Sequence, residues 1–278
     1  MTDTQPNLAI VYFSATNNTR TMAETIKAEF EALGADVDMH DITAPADREQ
    51  RLECAPYDAM VFGFPIHSLR APRIVREWLL GLDGQNKKCA MFFTFGGFMV
   101  HPAHHSTREI LRQQGFTVVA SAEFPGAHTF NLGGWKAFVH RPDHEDASLA
   151  RQYATAAYKR FTGEDEGVLG ELDKGAFSEQ QLDQFETFRF RVLTQLPTRN
   201  GAECSMCGLC EACCPTGAMD AEAGCADPKK CIACLRCVAS CPEKALVIND
   251  TTPSWAQKLA MGKTTEEQVN SQTGRIYL

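Results

Sequence analysis

The sequence predicts an α/β chain: a doubly wound, parallel, five-stranded sheet followed by a small α+β domain organised around cysteines. From residue 8 to about 162, short apolar runs alternate with amphipathic stretches of helix length, the pattern of a parallel sheet covered by helices. Ten of the twelve cysteines lie beyond residue 200. A length of 278 residues suits about two domains of ordinary size.

Five runs read as strands: Leu8–Phe13, Val37–Ile42, Met60–Phe64, Cys89–Phe95 and Thr117–Ala122, each short, rich in β-formers and separated by helix-length segments. The first helix, from about Asn18 to Leu33, puts Met22, Ile26, Phe30 and Leu33 on one face, and Gly34 supplies a left-handed end. A later helix opens at Pro72 and offers Ile74, Val75, Trp78 and Leu79 for burial. Between about Gly163 and Asn200 the chain turns acidic and then helical. Ser178 and Gln181 stand in a capping-box relation before Leu182, Phe185, Phe188 and Val192, which call for a surface to bury them. Residues 251–278 are polar with isolated Trp255, Ile276 and Tyr277, as in a tail that docks back on the body or a partly ordered end. The chain therefore divides into 1–165, a helical connector 166–200, a cysteine domain 201–250 and a C-terminal tail 251–278.

Net charge is -8, from 27 basic and 35 acidic residues, which makes nucleic acid a poor partner and a basic patch on another redox protein a better one. The longest near-apolar stretch, Cys89 to Val100, is interrupted by Thr94, Gly96 and Gly97 and is too short for a membrane span. Met1 to Asn7 is polar and has no secretory pattern, which argues for a cytoplasmic protein and against a disulfide framework.

The chemistry is densest in two matching cysteine runs. Cys204, Cys207, Cys210 and Cys214-Pro215 recur 27 residues on as Cys231, Cys234, Cys237 and Cys241-Pro242. Thr216-Gly217-Ala218-Met219 after the first run matches Glu243-Lys244-Ala245-Leu246 after the second, an internal repeat about a pseudo-twofold axis. The C-x2-C-x2-C-x3-C-P spacing resembles that of two-cluster bacterial ferredoxins, in which one tight loop reaches three iron corners and the cysteine before proline ligates the partner cluster. It implies two 4Fe-4S clusters, one on Cys204, Cys207, Cys210 and Cys241, the other on Cys231, Cys234, Cys237 and Cys214. Zinc also uses C-x2-C pairs, but gives no reason for three consecutive spacings that end in Cys-Pro. Cys213 lacks both the x3 spacing and the following proline, which leaves it as a spare buried thiol.

An open doubly wound sheet binds ligands at the carboxyl ends of its strands, near the switch point between the first and third. The loop after the first strand is Ser14, Ala15, Thr16, Asn17, Asn18 and Thr19, and it runs directly into a helix. Its hydroxyls and amides, with the free N–H groups of the helix start, form a site for a phosphate monoester. It resembles the phosphate loop of flavodoxins, which bind FMN. That family has glycine where this chain has Asn17, and asparagine is the non-glycine residue that best tolerates a left-handed turn. The same residue types also make an ordinary helix cap, but six polar or small residues in succession favour phosphate. No G-x-G-x-x-G occurs, so direct use of NAD(P)H is not expected.

The second loop, Phe64 to Pro72, contains Pro65, Ile66, His67 and Ser68 and falls where flavodoxin-like proteins place one wall of the flavin ring, with His67 as the stacking candidate. Ile66 to Arg70 holds no glycine, so the glycine peptide flip common in flavodoxins is not expected. Arg70 either faces the ring or lies on the surface for an acidic partner. In the third loop, Thr94, Phe95, Gly96 and Gly97, the two glycines let backbone approach a planar ring. His101, His104 and His105 follow without a cysteine or carboxylate at ligand spacing and read as ordinary histidines rather than a metal site. Gly126 to Asn131 follows the fifth strand, and composition leaves its role open.

The chain as a whole resembles the bacterial and archaeal family that fuses an N-terminal flavodoxin-like domain to a C-terminal two-cluster ferredoxin. The resemblance implies a sheet of order 2-1-3-4-5, an FMN-binding domain over 1–165 and a 2x4Fe-4S domain over 201–250. It further implies an electron-transfer protein of anaerobic metabolism, relaying electrons between the clusters, FMN and a redox partner without acid-base catalytic residues of its own. Two other functions compete with this one. FMN could reduce a small substrate at a pocket formed by His67, His101 and residues 126–131, fed by the clusters. Alternatively, a flavin-free chain could carry a ferredoxin as activator of a partner metalloenzyme. Donor, acceptor, direction of flow and oligomeric state are not encoded in the spacing.

Overall fold

Strands buried on both faces of a sheet read as unbroken apolar runs, because neither face meets water. The computed structural model, which describes residues 5–188 and 193–278, is built on such strands. In chain order its first part contains β1 (Asn7–Tyr12), α1 (Asn18–Ala32), β2 (Asp36–Asp41), α2 (Pro45–Glu49), β3 (Ala59–Pro65), α3 (Arg73–Leu79), β4 (Lys88–Phe95), α4 (His101–Gln113), β5 (Thr117–Pro125), a 3-10 turn (Thr129–Gly133) and α5 (His144–Thr162). There follow α6 (Glu179–Phe188), β6 (Thr198–Arg199), α7 (Leu209–Ala212), β7 (Met219–Asp220), β8 (Cys225–Ala226), α8 (Arg236–Ser240), β9 (Leu246–Val247), α9 (Thr252–Gly262), α10 (Glu266–Asn270) and β10 (Arg275–Tyr277).

The parallel strands take the flavodoxin-like order β2-β1-β3-β4-β5. Neighbouring residues of a strand point to opposite faces. Phe93 accordingly joins a buried cluster with Val75 and Leu79 of α3 and Leu111 of α4, while Phe92 packs with Ile26 and Phe30 of α1 and Tyr153 of α5. Two helix faces are narrower than the sequence suggests. Leu33, at the end of α1, and Ile74 and Trp78 of α3 are half-buried, because a seven-residue helix turns only one stripe, here Val75 and Leu79, fully toward the sheet.

The expected five strands become six. β10 pairs antiparallel with β5, Ile276 opposite Ala122, so the polar tail supplies an edge strand. Tyr277 donates to Glu123 Oε2 at 2.9 Å, and His104 Nε2 lies 3.0 Å from the same oxygen while its Nδ1 meets Ser121 Oγ at 2.6 Å. His104 is therefore neither a solvated histidine nor part of a metal site. It is buried with a carboxylate that arrives from β5. The cysteine-rich part forms a second, four-stranded sheet of order β7-β8-β6-β9, antiparallel throughout, as a small α+β unit requires.

The connector is held by charge rather than by its aromatics. Ser178 and Gln181 make the reciprocal cap bonds at 2.9 and 3.3 Å, and Leu182 is buried, but Phe185 and Phe188 stay exposed. Val192 lies outside the described residues. Arg70, almost fully buried, reaches Glu179 Oε2 at 2.7 Å, Asp183 Oδ1 at 2.5 Å and Glu186 Oε2 at 3.3 Å, and Arg76 reaches Glu186 at 3.0 Å. Arg70 thus neither faces a ring nor waits for a partner. It latches α6.

Glu179 and Asp183 meet solvent and Glu186 keeps Arg76, so loss of Arg70 strands no buried charge. Arg70→Ala should lower stability by about 1 kcal/mol and open residues 163–188 to limited proteolysis, which mapping of the cleavage sites would register. His104 gives a pH signature. Burial holds its pKa below the ordinary value, against the opposing pull of Glu123. Its contribution is then complete above about pH 6.5 and is lost as pH falls through the lower folded value. The unfolding midpoint of the parent should drop more steeply between about pH 7 and pH 5 than that of His104→Gln, and parallel curves would contradict this assignment.

Candidate functional site

Because β2 and β3 flank β1 on opposite sides, the loops after β1 and β3 part at the carboxyl ends of the strands and leave a crevice. An open cleft lies there, where such sheets bind their ligands. Ser14, Ala15, Thr16, Asn18 and Thr19 line it from the first loop, Pro65, Ile66 and His67 from the second, and Thr94, Phe95 and Gly96 from the third. Gly126, Ala127, His128 and Thr129 form the remaining wall. Sequence reasoning left this last segment open. Its signal was position alone, directly after a strand of the same sheet.

Asn17, Ser68 and Gly97 do not line the cleft, and each has another task. Asn17 takes φ 72°, the left-handed conformation expected of asparagine at this turn. Ser68 and Leu69, at φ 50° and 73°, form a two-residue turn closed by the His67 N–H donating to the Arg70 carbonyl at 2.8 Å. Gly97, at φ 89°, packs against Val269, and its carbonyl accepts from Gln272 Nε2 at 3.2 Å. Gly96 is small for a related reason: a Cβ there would run into the His128 ring, which stacks on Trp135 with centroids 4.6 Å apart. Both glycines are thus closely packed by side chains from distant segments, and of the two Gly96 lines the cleft. His67 is 95 % buried rather than projecting from its loop (5 % exposed).

Helix α1 opens directly from the first loop: Asn17 makes no side-chain cap bond and Ser14 Oγ takes the third N–H of the helix, so the capping reading holds in part, and the positive end of the helix dipole faces the loop. The loop is also pinned from behind: the Ser14 N–H donates to Thr43 Oγ1 at 2.8 Å, the Arg20 N–H to Ser14 Oγ at 3.1 Å and Asn18 Nδ2 to the Ala127 carbonyl at 2.9 Å. Thr19 and Thr94 share a hydrogen bond of 2.8 Å between their hydroxyls, tying the first loop to the third.

A second, small cavity is lined by Cys204, Cys207, Cys210 and Cys241, with Met219, Leu246 and Pro242 around them. These four cysteines come from both runs. Cys214 and Cys237 are buried together, with Cys231 packed beside them, and Cys234 is buried as well. The Cys237 thiol is pushed far up by burial and by its neighbours Cys234, Cys231 and Cys214. Burial also tends to raise Cys214, but backbone N–H groups from Thr216, Met219 and Ala218 outweigh it and hold the thiol below its usual value. The repeat extends to these bonds: Ala218 N–H donates to Cys214 Sγ at 3.2 Å and Ala245 N–H to Cys241 Sγ at 3.3 Å. Among the described residues no three His, Cys, Asp or Glu side chains converge on a single metal ion. Cys213, half-buried rather than buried, donates to the Cys210 carbonyl at 3.6 Å.

The two sites adjoin. Ile232 and Cys234 belong to the same buried cluster as Phe13 and Phe64, on which Ala15 and Ile66 of the cleft also pack. Arg236 Nη1 donates to the Ser14 carbonyl at 2.8 Å, and Arg48 donates to the Pro215 carbonyl. Among the described residues no helix is long and apolar enough to cross a membrane.

Residues 226–247 match the 4Fe-4S binding domain family. No curated protein matches the chain. Solved structures similar to it include a flavodoxin from the domain Archaea, at 17 % identity and TM-score 0.43, covering 56 % of this chain and 99 % of that one. Flavodoxin 2 from Bacillus cereus is 20 % identical with TM-score 0.44, covering 55 % and 99 %, and the two-electron reduced Megasphaera elsdenii flavodoxin 25 % identical with TM-score 0.38, covering 54 % and 99 %. Strand order and register establish the flavodoxin-like domain, and the family match establishes the iron-sulfur one. A left-handed residue with a Cβ costs about 1 kcal/mol, least for asparagine. Asn17→Ala should lower stability by about 1 kcal/mol while Asn17→Gly leaves it level or higher, as thermal unfolding would report.

Proposed function

We propose that this chain, a flavodoxin-like domain joined to a 4Fe-4S binding domain, is an electron-transfer protein that holds FMN and two 4Fe-4S clusters and relays electrons between them and a redox protein partner, in the cytoplasm and in anaerobic metabolism. The proposed organisation is an FMN domain over 1–165, a connector over 166–200, the two-cluster domain over 201–250 and a tail over 251–278 that packs back on the first domain. The carrying observation is the direct packing of the Cys231–Cys237 loop on the cleft, through Ile232, Cys234 and the Arg236 bond to Ser14.

When bound, the clusters supply one-electron transfer and the flavin the exchange between one-electron and two-electron chemistry. For the flavin, Ser14 to Thr19 present hydroxyls and helix N–H groups to the phosphate, and Pro65, Ile66, Phe95 and His128 wall the ring. For the clusters, Cys204, Cys207, Cys210 and Cys241 hold one, and Cys231, Cys234, Cys237 and Cys214 the other. The N–H donors at Cys214 favour the thiolate that ligation requires.

Protein isolated without oxygen should contain about one FMN and about eight iron atoms per chain. Cys214→Ser and Cys241→Ser should each lower iron toward about four, while Cys213→Ser keeps the parent value. Eight iron atoms with no flavin, and none taken up from added FMN, would overturn the relay in favour of a ferredoxin-bearing activator.

A further inference from the structure

Arg236 belongs to the cysteine loop by sequence and to the cleft by contact. It immediately precedes Cys237, yet Nη1 donates to the Ser14 carbonyl oxygen at 2.8 Å. In a trans peptide the C=O and the following N–H point in opposite directions. An arginine that holds the Ser14 carbonyl therefore turns the Ala15 N–H away from itself, on the side where Ala15, Thr16 and Asn18 line the cleft. The other side of the Ser14 residue is fixed as well, by Thr43 Oγ1 on its N–H.

The charge matters as much as the bond. Arg70, Arg141 and Arg160 are each matched by a carboxylate. Among the described residues Arg236 has no such counter-ion, although it is half-buried and also contacts the Cys213 thiol. The Ser14–Thr19 loop contains no lysine or arginine of its own apart from what neighbours lend it, and Arg20 just beyond is exposed and paired with Glu24. A half-buried guanidinium without a carboxylate, holding the loop that opens α1 from behind without itself lining the cleft, adds positive potential there and so favours a dianion.

We propose that Arg236, contributed by the iron-sulfur domain, is part of the phosphate site of the flavin. It sets the Ser14–Ala15 peptide and supplies the positive charge that the loop lacks. This rests on the FMN reading above. It adds that phosphate binding and seating of the 231–237 loop favour each other, since a ligand that strengthens a contact is itself bound more tightly when that contact is in place.

FMN and riboflavin differ only in the phosphate, so the pair isolates the effect. Flavin-depleted protein with its iron intact would be titrated with each, by flavin fluorescence, for the parent, Arg236→Gln and Arg236→Lys, with iron measured in every sample. Arg236→Gln should weaken FMN about tenfold, through loss of the positive charge behind the loop and of the bond that sets the Ser14–Ala15 peptide, and leave riboflavin within about twofold. Arg236→Lys keeps the charge without the fork and should recover part of the loss. If Arg236→Gln sheds iron, the same FMN-to-riboflavin comparison is made on Arg236→Lys, where a loss confined to FMN is still expected. Unchanged FMN affinity in the iron-replete variant, or equal loss of FMN and riboflavin, would overturn the inference while leaving FMN binding itself standing. A parent that binds neither flavin would remove the FMN reading and this inference together.

Discussion

The position of β1 between β2 and β3 is the constraint on which the rest of the structure depends. Ile10 lies opposite Met39 on one side and Val61 on the other, so the sheet grows outward from β1 in both directions. Loops leaving β1 and β3 must then diverge, and α1 starts at the gap with its N–H groups pointed outward. The cleft, the helix start at its edge and the seat for the cysteine loop are three consequences of that one placement. At the far edge the sheet is finished by β10, whose Tyr277 shares Glu123 with His104.

The features legible in the sequence are those with a local cause. A strand covered on both faces must be apolar along its length, and a cluster loop must repeat its cysteines at fixed intervals, so both were visible without a structure. The grouping of Cys241 with Cys204, Cys207 and Cys210 was expected from the spacing rule of two-cluster ferredoxins, and the four line one cavity. The features that were missed depend on distant partners. Arg70 finds its carboxylates 109 to 116 residues away, and the Ser14 carbonyl finds Arg236 222 residues away. Gly96 and Gly97 are small because of His128 and Val269, which no local rule brings to them. β10 is three residues in a polar tail, too short for periodicity to reveal.

The contacts that seat the cysteine domain differ in kind, and this bears on what they can do. Burial of Ile232, Cys234 and Leu235 supplies attraction but little direction. The bonds from Arg48 to Pro215 and from Arg236 to Ser14 supply direction, because a guanidinium meets a carbonyl only in a narrow range of geometries. The latch of Arg70 on α6 is of the second type. Buried ion pairs contribute little net stability but discriminate between arrangements, and here they fix the connector that precedes the cysteine runs. A relay needs such discrimination more than it needs stability, since transfer between cofactors falls steeply with their separation.

The two cysteine sites are related by sequence repeat yet have unequal surroundings. Around the first, Cys207, Met206 and Leu209 are exposed, with Glu203, Glu211 and Glu243 on the surface nearby. Around the second, Cys214, Cys234 and Cys237 are buried and the loop faces the cleft. Adding an electron adds negative charge, which costs more where water is excluded and less where a cation or N–H groups stand close. Burial and Arg236 therefore act on the inner site in opposite senses, while water and carboxylates surround the outer one. In the proposed relay this inequality gives each site its role: the outer one is open to a partner protein with a basic rim, and the inner one, walled and held by Arg236, exchanges electrons with whatever occupies the cleft.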